Sequence, residues 1–217
     1  MDDLKQYLVV GATSDLAKAF VLSVESGAHF TLVARNEEKL KEIYGSFSSV
    51  VRTETCDLKN NNEVKELIQN LKTNKFKYDG ILCAVGAHDI MPLRLYSDEK
   101  FRDMVDANFF AVANILRFMS PILMPGSSVV LISSAVTSRG AGTVSAYAAS
   151  KSAVEGLVRA AAVEYAAKKI RINAIAPGVF KSKMSEKFIS SFSPQQLERL
   201  ELNHPLGIGT PGQVASV

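Results

Sequence analysis

The chain has 217 residues, with 25 Lys and Arg against 22 Asp and Glu, and a formal charge of +3 when its three His are neutral. Hydrophobic residues at 47% and charged residues at 22% match a globular composition and exclude a disordered or fibrous chain, and the length suits one α/β domain. The positive charge is spread without a basic block, so no nucleic-acid partner is expected.

Apolar runs rich in β-branched residues predict buried strands at 7–10, 30–34, 50–55, 80–85, 129–133 and 170–176. Helical spacing predicts helices at 16–26, 37–45, 62–73, 98–119 and 146–168. This alternation predicts an α/β fold: a doubly wound, mostly parallel, Rossmann-type sheet in a single domain spanning 1–217, with right-handed crossovers. The start, Met1-Asp2-Asp3 with a short apolar run after Lys5, has no visible signal peptide. The long uncharged run 118–138 contains Pro121, Pro125, Gly126 and six Ser, so it reads as a turn feeding a buried strand and not as a membrane span. A soluble, cytoplasmic protein with no membrane partner is the expectation.

Ser193-Pro194-Gln195-Gln196 and Thr210-Pro211-Gly212-Gln213 both read as helix starts, with a capping hydroxyl, Pro at the first helical position and Gln three residues after the cap. The second announces a helix one turn before the chain stops at Val217, so the C-terminal end is expected to be truncated. Cys56 and Cys83 lack CxxC spacing and a local His, so no metal site is expected. In a 3-2-1-4-5-6 sheet they lie three strand spacings apart, about 14 Å, beyond the roughly 7 Å reach of a disulfide. Both are expected to be buried thiols in a reducing compartment.

The first predicted strand ends in Val10-Gly11-Ala12-Thr13-Ser14-Asp15-Leu16-Ala17, and a helix follows at once. A turn of small residues there lets backbone approach a pyrophosphate seated on the helix N-terminus. Only Gly11 of a GxGxxG pattern is present; Asp15 also reads as a helix cap, and Ala17 as a residue packed on the sheet. The second strand ends Leu32-Val33-Ala34-Arg35, without the carboxylate that would hold a ribose 2′-hydroxyl. Arg35 instead suits a 2′-phosphate, or simply starts the next helix, where Asn36 caps Glu37-Glu38-Lys39.

Tyr147-Ala148-Ala149-Ser150-Lys151 puts a phenol and an ammonium on one helix face. Tyr96/Lys100 and Tyr165/Lys169 share that spacing, so spacing alone selects nothing. Ser134 ends a strand thirteen residues before Tyr147. The same offset reaches Cys83 from Tyr96, and from Tyr165 it reaches Ser152 in the same helix, roughly 20 Å away along the axis. Only Ser134, Tyr147 and Lys151 can converge, at the carboxyl end of a strand where open α/β sheets bind ligands.

These segments together resemble the short-chain dehydrogenase/reductase family over nearly the whole chain. Gly11, Thr13, Ser14, Asp15 and Leu16 take the place of its Gly-rich turn, and Cys56-Asp57-Leu58 resembles the segment that holds the adenine ring. Ala84-Val85-Gly86 resembles its turn after the fourth strand, and Asn108 matches its active-site Asn. Ser134, Tyr147 and Lys151 match its catalytic set. Arg171-Ile172-Asn173-Ala174-Ile175-Ala176-Pro177-Gly178 matches its nicotinamide-side strand and turn, with Ser182 where a carboxamide-contacting Thr is usual. The departures are Asp15 and Ala17 in place of glycines, Cys83-Ala84 in place of two Asn, and the family's last strand and helix, which would follow Val217. The resemblance implies a homodimer or homotetramer.

The expected activity is NADP(H)-dependent interconversion of a ketone, 3-oxoacyl substrates foremost by resemblance, and a secondary alcohol. A phenol titrates near pKa 10; Lys151 is expected to lower Tyr147 toward working pH, Ser134 to orient the carbonyl, and Asn108 to hold a water relaying protons to Lys151. The alternative is a non-catalytic dinucleotide-binding or regulatory protein. After Gly178, Lys181, Lys183 and Lys187 with Phe188, Ile189 and Phe192 suit either an acidic or carrier-bound substrate or a solvated amphipathic helix. His88 and His204 receive no role.

Overall fold

The computed structural model describes residues 4–190 and 192–217, without the side chains of Lys187 and Phe188. Expectations resting on Met1-Asp2-Asp3 and on those two side chains lie outside the described residues.

Six strands, β1 (Lys5–Val10), β2 (Ala28–Ala34), β3 (Val50–Thr55), β4 (Tyr78–Cys83), β5 (Leu123–Ile132) and β6 (Arg171–Ile175), form one sheet. Its order is β3-β2-β1-β4-β5-β6, and every neighbouring pair is parallel. The period-2 alternation of a strand divides the core in two. Leu8, Val10, Val33, Ile81 and Cys83 face one layer, packed with Val64, Leu67, Ile115, Val154 and Val158. Val9, Leu32, Ala34 and Leu82 face the other, packed with Ala17, Val21, Leu40 and Tyr44. Both faces are covered, which is why these strands read as continuous apolar runs. Cys56 and Cys83 are free and buried.

The helices are α1 (Asp15–Val24), α2 (Glu37–Tyr44), α3 (Asn61–Thr73), α4 (Asp98–Val105), α5 (Ala111–Phe118), α6 (Val136–Arg139), α7 (Ser145–Ala166), α8 (Lys183–Ile189), α9 (Pro194–Leu202) and α10 (Pro211–Ala215). Asn36 caps α2 through the Lys39 N–H, and α9 and α10 both start with capping boxes. Among the described residues no helix is long and apolar enough to cross a membrane.

Three local expectations are corrected. The helix predicted over 98–119 is broken by a π-helical turn, Asp106–Phe110, that separates α4 from α5 and carries Asn108 on its buried side. Such wide turns occur frequently at functional sites, and apolar periodicity does not reveal them. The fourth strand ends at Cys83, not at residue 85: Ala84 still donates to Val10 O at 2.8 Å, but the chain then leaves the sheet. Asp15 does not cap α1; the Ser14 hydroxyl does, accepting from Ala17 N at 3.2 Å.

Candidate active site

The strand order reverses between β1 and β4, so their carboxyl ends splay into the crevice where doubly wound sheets take ligands. Gly11 opens this crevice in the left-handed region, at φ 76°. A Cβ there would stand 2.6 Å from Ala84 O, so only glycine lets the β1–α1 turn lie so close to the β4 exit. The Tyr44 phenol donates to Ala12 O at 2.7 Å and braces the turn from behind. Since Ser14 serves Ala17 N, the N–H groups of Asp15 and Leu16 have no acceptor within α1. They are the donors a pyrophosphate needs at a helix N-terminus, so the turn fits a dinucleotide despite its missing glycines.

One cleft joins Thr13, Ser14, Asp15 and Leu16 to Ala84 and Gly86, to Ser134, Tyr147 and Lys151, and to Pro177, Gly178 and Ser182. Arg35, Asp57 and Leu58 do not line it. Arg35 is exposed just beyond β2. Asp57 makes a turn before α3, accepting from Lys59 N at 3.1 Å, and Leu58 is buried with its carbonyl accepting from Asn114 Nδ2 at 2.9 Å. Sequence reasoning missed Lys39, Phe180 and Met184, which also line the cleft, as does Lys183 from the basic stretch after Gly178. It also missed His88, whose ring meets the Tyr147 ring edge-on at 4.7 Å and 67°. Burial lowers the His88 pKa against the opposing pull of Asp89, so this imidazole is neutral. Its position two residues beyond Gly86 was the one available signal.

Lys151 is only 3% exposed, and burial drops its pKa to about 8. Its Nζ donates to Ile132 O at 2.8 Å and Val85 O at 3.4 Å. Burial raises the Tyr147 phenol, and its hydrogen bond with Ser134 opposes that rise. In the free protein the expected lowering by Lys151 is not met: loss of water around the phenolate raises the phenol, and the ammonium is bonded to two main-chain carbonyls. The free protein therefore presents a protonated phenol.

Asn108 sits behind the cleft wall and is held by protein groups. Fully buried, it accepts from Ala87 N at 2.8 Å and donates to Ala87 O and Ser150 Oγ, each at 3.0 Å. Its carboxamide is thus bonded to protein through both its oxygen and its nitrogen. It pins the segment after Gly86 onto α7, where a Cβ on Gly86 would come 2.8 Å from Asn108 Oδ1 and 3.1 Å from Lys151 Nζ. Tyr165, the rival phenol, donates to Leu116 O at 2.6 Å and ties α7 to α5.

A family model described as Enoyl-(Acyl carrier protein) reductase matches residues 11–217. The chain is 31% identical over 217 residues to a 3-oxoacyl-(acyl-carrier-protein) reductase of Rickettsia felis, covering 98% of this chain and 86% of that one. It is 30% identical over 208 residues to a 3beta-hydroxysteroid dehydrogenase of Mediterraneibacter gnavus, covering 90% and 73%. An NADPH-dependent pterin aldehyde reductase of Arabidopsis thaliana is 31% identical over 183 residues, covering 82% and 75%. The solved structure of a short-chain type dehydrogenase/reductase from Mycobacterium ulcerans superposes with a TM-score of 0.85 at 25% identity, covering 98% of this chain and 80% of that one. Because the match runs from the first strand's turn through residue 217 and not over the phosphate turn alone, the chain belongs to the short-chain dehydrogenase/reductase family.

Proposed function

We propose that the chain is an NADP(H)-dependent oxidoreductase that interconverts a ketone and a secondary alcohol, with a 3-oxoacyl compound as the first substrate class to test. The observation that carries this reading is the meeting of Ser134 and the protonated Tyr147 phenol in one cleft, with Lys151 buried one helical turn along α7. A nicotinamide dinucleotide supplies the hydride when bound. Ser134 donates to the substrate carbonyl oxygen and orients it. Tyr147 gives its phenolic proton to the oxygen as charge develops there, and burial keeps that proton in place until it is needed. Lys151 is charged below about pH 8 and favours the phenolate that the transfer leaves. Asn108 acts as a positioning residue, fixing Ala87 and Ser150 beside the reacting groups.

Thr13, Ser14, Asp15 and Leu16 would hold the pyrophosphate, with Pro177, Gly178 and Ser182 on the nicotinamide side. Arg35 and Lys39 supply cations at the β2–α2 corner, and β2 ends in Ala34 where a carboxylate would hold a free 2′-hydroxyl; this supports NADP(H) over NAD(H). The relatives named as 3-oxoacyl reductase and hydroxysteroid dehydrogenase support carbonyl–alcohol chemistry, and Phe180 and Met184 add apolar surface to the cleft wall. The test is loss of NADPH absorbance against a ketone panel that includes a 3-oxoacyl thioester. Saturable turnover abolished by Tyr147→Phe is the expected result. Dinucleotide binding without turnover of any ketone would replace this reading with a dinucleotide-binding regulatory protein.

A further inference from the structure

Asp15 stands on the turn proposed for the pyrophosphate, where a negative side chain looks out of place. Its carboxylate points away from α1 and crosses to the far wall of the cleft. There Oδ2 accepts a 2.7 Å hydrogen bond from the backbone N–H of Lys183, 168 residues away in sequence. Lys183 is the first residue of α8, and its N–H is one of the donors a helix start leaves unpaired. The other visible cap is local: Ser182 Oγ accepts from Ser185 N at 3.1 Å. The start of α8 is therefore closed half by its own hydroxyl and half by a carboxylate from the β1–α1 turn.

The segment so held carries Phe180, Ser182, Lys183 and Met184, which form one wall of the cleft. Its other attachments lie behind it. Lys181 N donates to Gly209 O at 2.8 Å, and Val179 N approaches His204 Nε2 at 3.4 Å. The Asp15–Lys183 bond spans the cleft mouth, from the phosphate turn to the nicotinamide side.

We propose that Asp15 is a positioning residue that latches residues 179–186 over the cleft and so holds the bound dinucleotide, a reading that rests on the cofactor proposed above. A segment free to swing away leaves only part of the population competent to bind, and apparent affinity falls by that fraction. If the closed population drops to about a tenth without the latch, the NADPH Kd rises about tenfold. The simple electrostatic view predicts the opposite: removing a carboxylate beside a pyrophosphate tightens binding.

Four proteins decide between them: wild type, Asp15→Ala, Asp15→Asn and Lys183→Pro. Asn keeps an oxygen that accepts from Lys183 N. Pro removes that N–H without touching the phosphate turn, at a first helical position that tolerates it. NADPH titrated by fluorescence should bind about tenfold more weakly to Asp15→Ala and to Lys183→Pro, and Asp15→Asn should recover most of the loss. Combining Asp15→Ala with Lys183→Pro should weaken binding no further than either alone, because both break one bond. Amide exchange without cofactor should quicken at residues 184–186 in Asp15→Ala and slow again in Asp15→Asn. Binding to Asp15→Ala as tight as or tighter than wild type overturns the latch, as does unchanged amide exchange. If wild type binds no dinucleotide, the proposed cofactor falls, and the exchange measurement alone still decides whether the latch exists.

Discussion

Replacing Asn108 by Leu deletes every hydrogen bond of a side chain wholly inside the protein while keeping similar bulk. The Ala87 N–H loses its carboxamide acceptor at 2.8 Å, and Ala87 O and Ser150 Oγ each lose a donor at 3.0 Å. The stranded N–H costs about 1–3 kcal/mol. Ser150 adds little, because its hydroxyl still donates to Tyr147 O at 2.7 Å, and the Ala87 carbonyl brings the total to about 2–4 kcal/mol. For a chain of this size that lowers Tm by roughly 4–16 °C. Urea unfolding followed by far-UV circular dichroism should show the midpoint falling with the m-value unchanged. Because Ala87 and Ser150 flank the reacting groups, kcat should fall in the same variant. A large loss of kcat with an unmoved urea midpoint would refute this reasoning, since it would mean that Asn108 serves a relay and braces nothing.

The two phenols on α7 form a matched pair of tests. Tyr147→Phe should remove most turnover and leave NADPH affinity within a few fold, whereas Tyr165→Phe should leave kcat unchanged and cost about 1 kcal/mol of stability through its lost bond to Leu116 O; kinetics and urea unfolding of both check this. The Lys151 pKa lies near 8 in the folded protein and 10.5 ordinarily, so the unfolded chain binds the extra proton between those values, and folding gains stability as pH rises through that window. The urea-derived stability of wild type minus that of Lys151→Met should therefore climb by about 1.4 kcal/mol per pH unit from about pH 8 to 10, and a flat difference contradicts the assigned burial. Ala34→Asp with Arg35→Ser should weaken NADPH and favour NADH, since a guanidinium–phosphate pair at an exposed corner contributes about 1.5–3 kcal/mol, or roughly ten- to hundredfold in affinity. Fluorescence titration of both cofactors into both proteins decides it, and an unmodified chain that prefers NADH makes Arg35 a surface residue only.

The sheet was legible because its information is local and repetitive. β-branched runs of strand length alternating with helical spacing leave few arrangements for a parallel sheet, and the capping signatures at Asn36, Ser193 and Thr210 each read correctly over four residues. That Tyr147, and not Tyr165, meets Ser134 was also open to the sequence, because strand ends and helical rise are fixed lengths. What the sequence could not yield depends on groups far apart in the chain meeting in the interior. The Lys151 ammonium looked like a partner for the phenol four residues away, yet the folded chain bonds it to the Ile132 and Val85 carbonyls, and burial raises the phenol. Nothing local to Asn108 announces the π-turn that carries it or the bonds its carboxamide makes to Ala87 and Ser150. Asp15 read as a cap for its own helix, and only the folded chain brings it to the start of another, 168 residues on. Propensity and periodicity act over a few residues, whereas desolvation and long-range hydrogen bonding exist only once the layers have packed; the frame of this protein was written in the first, and the state of its site was decided by the second.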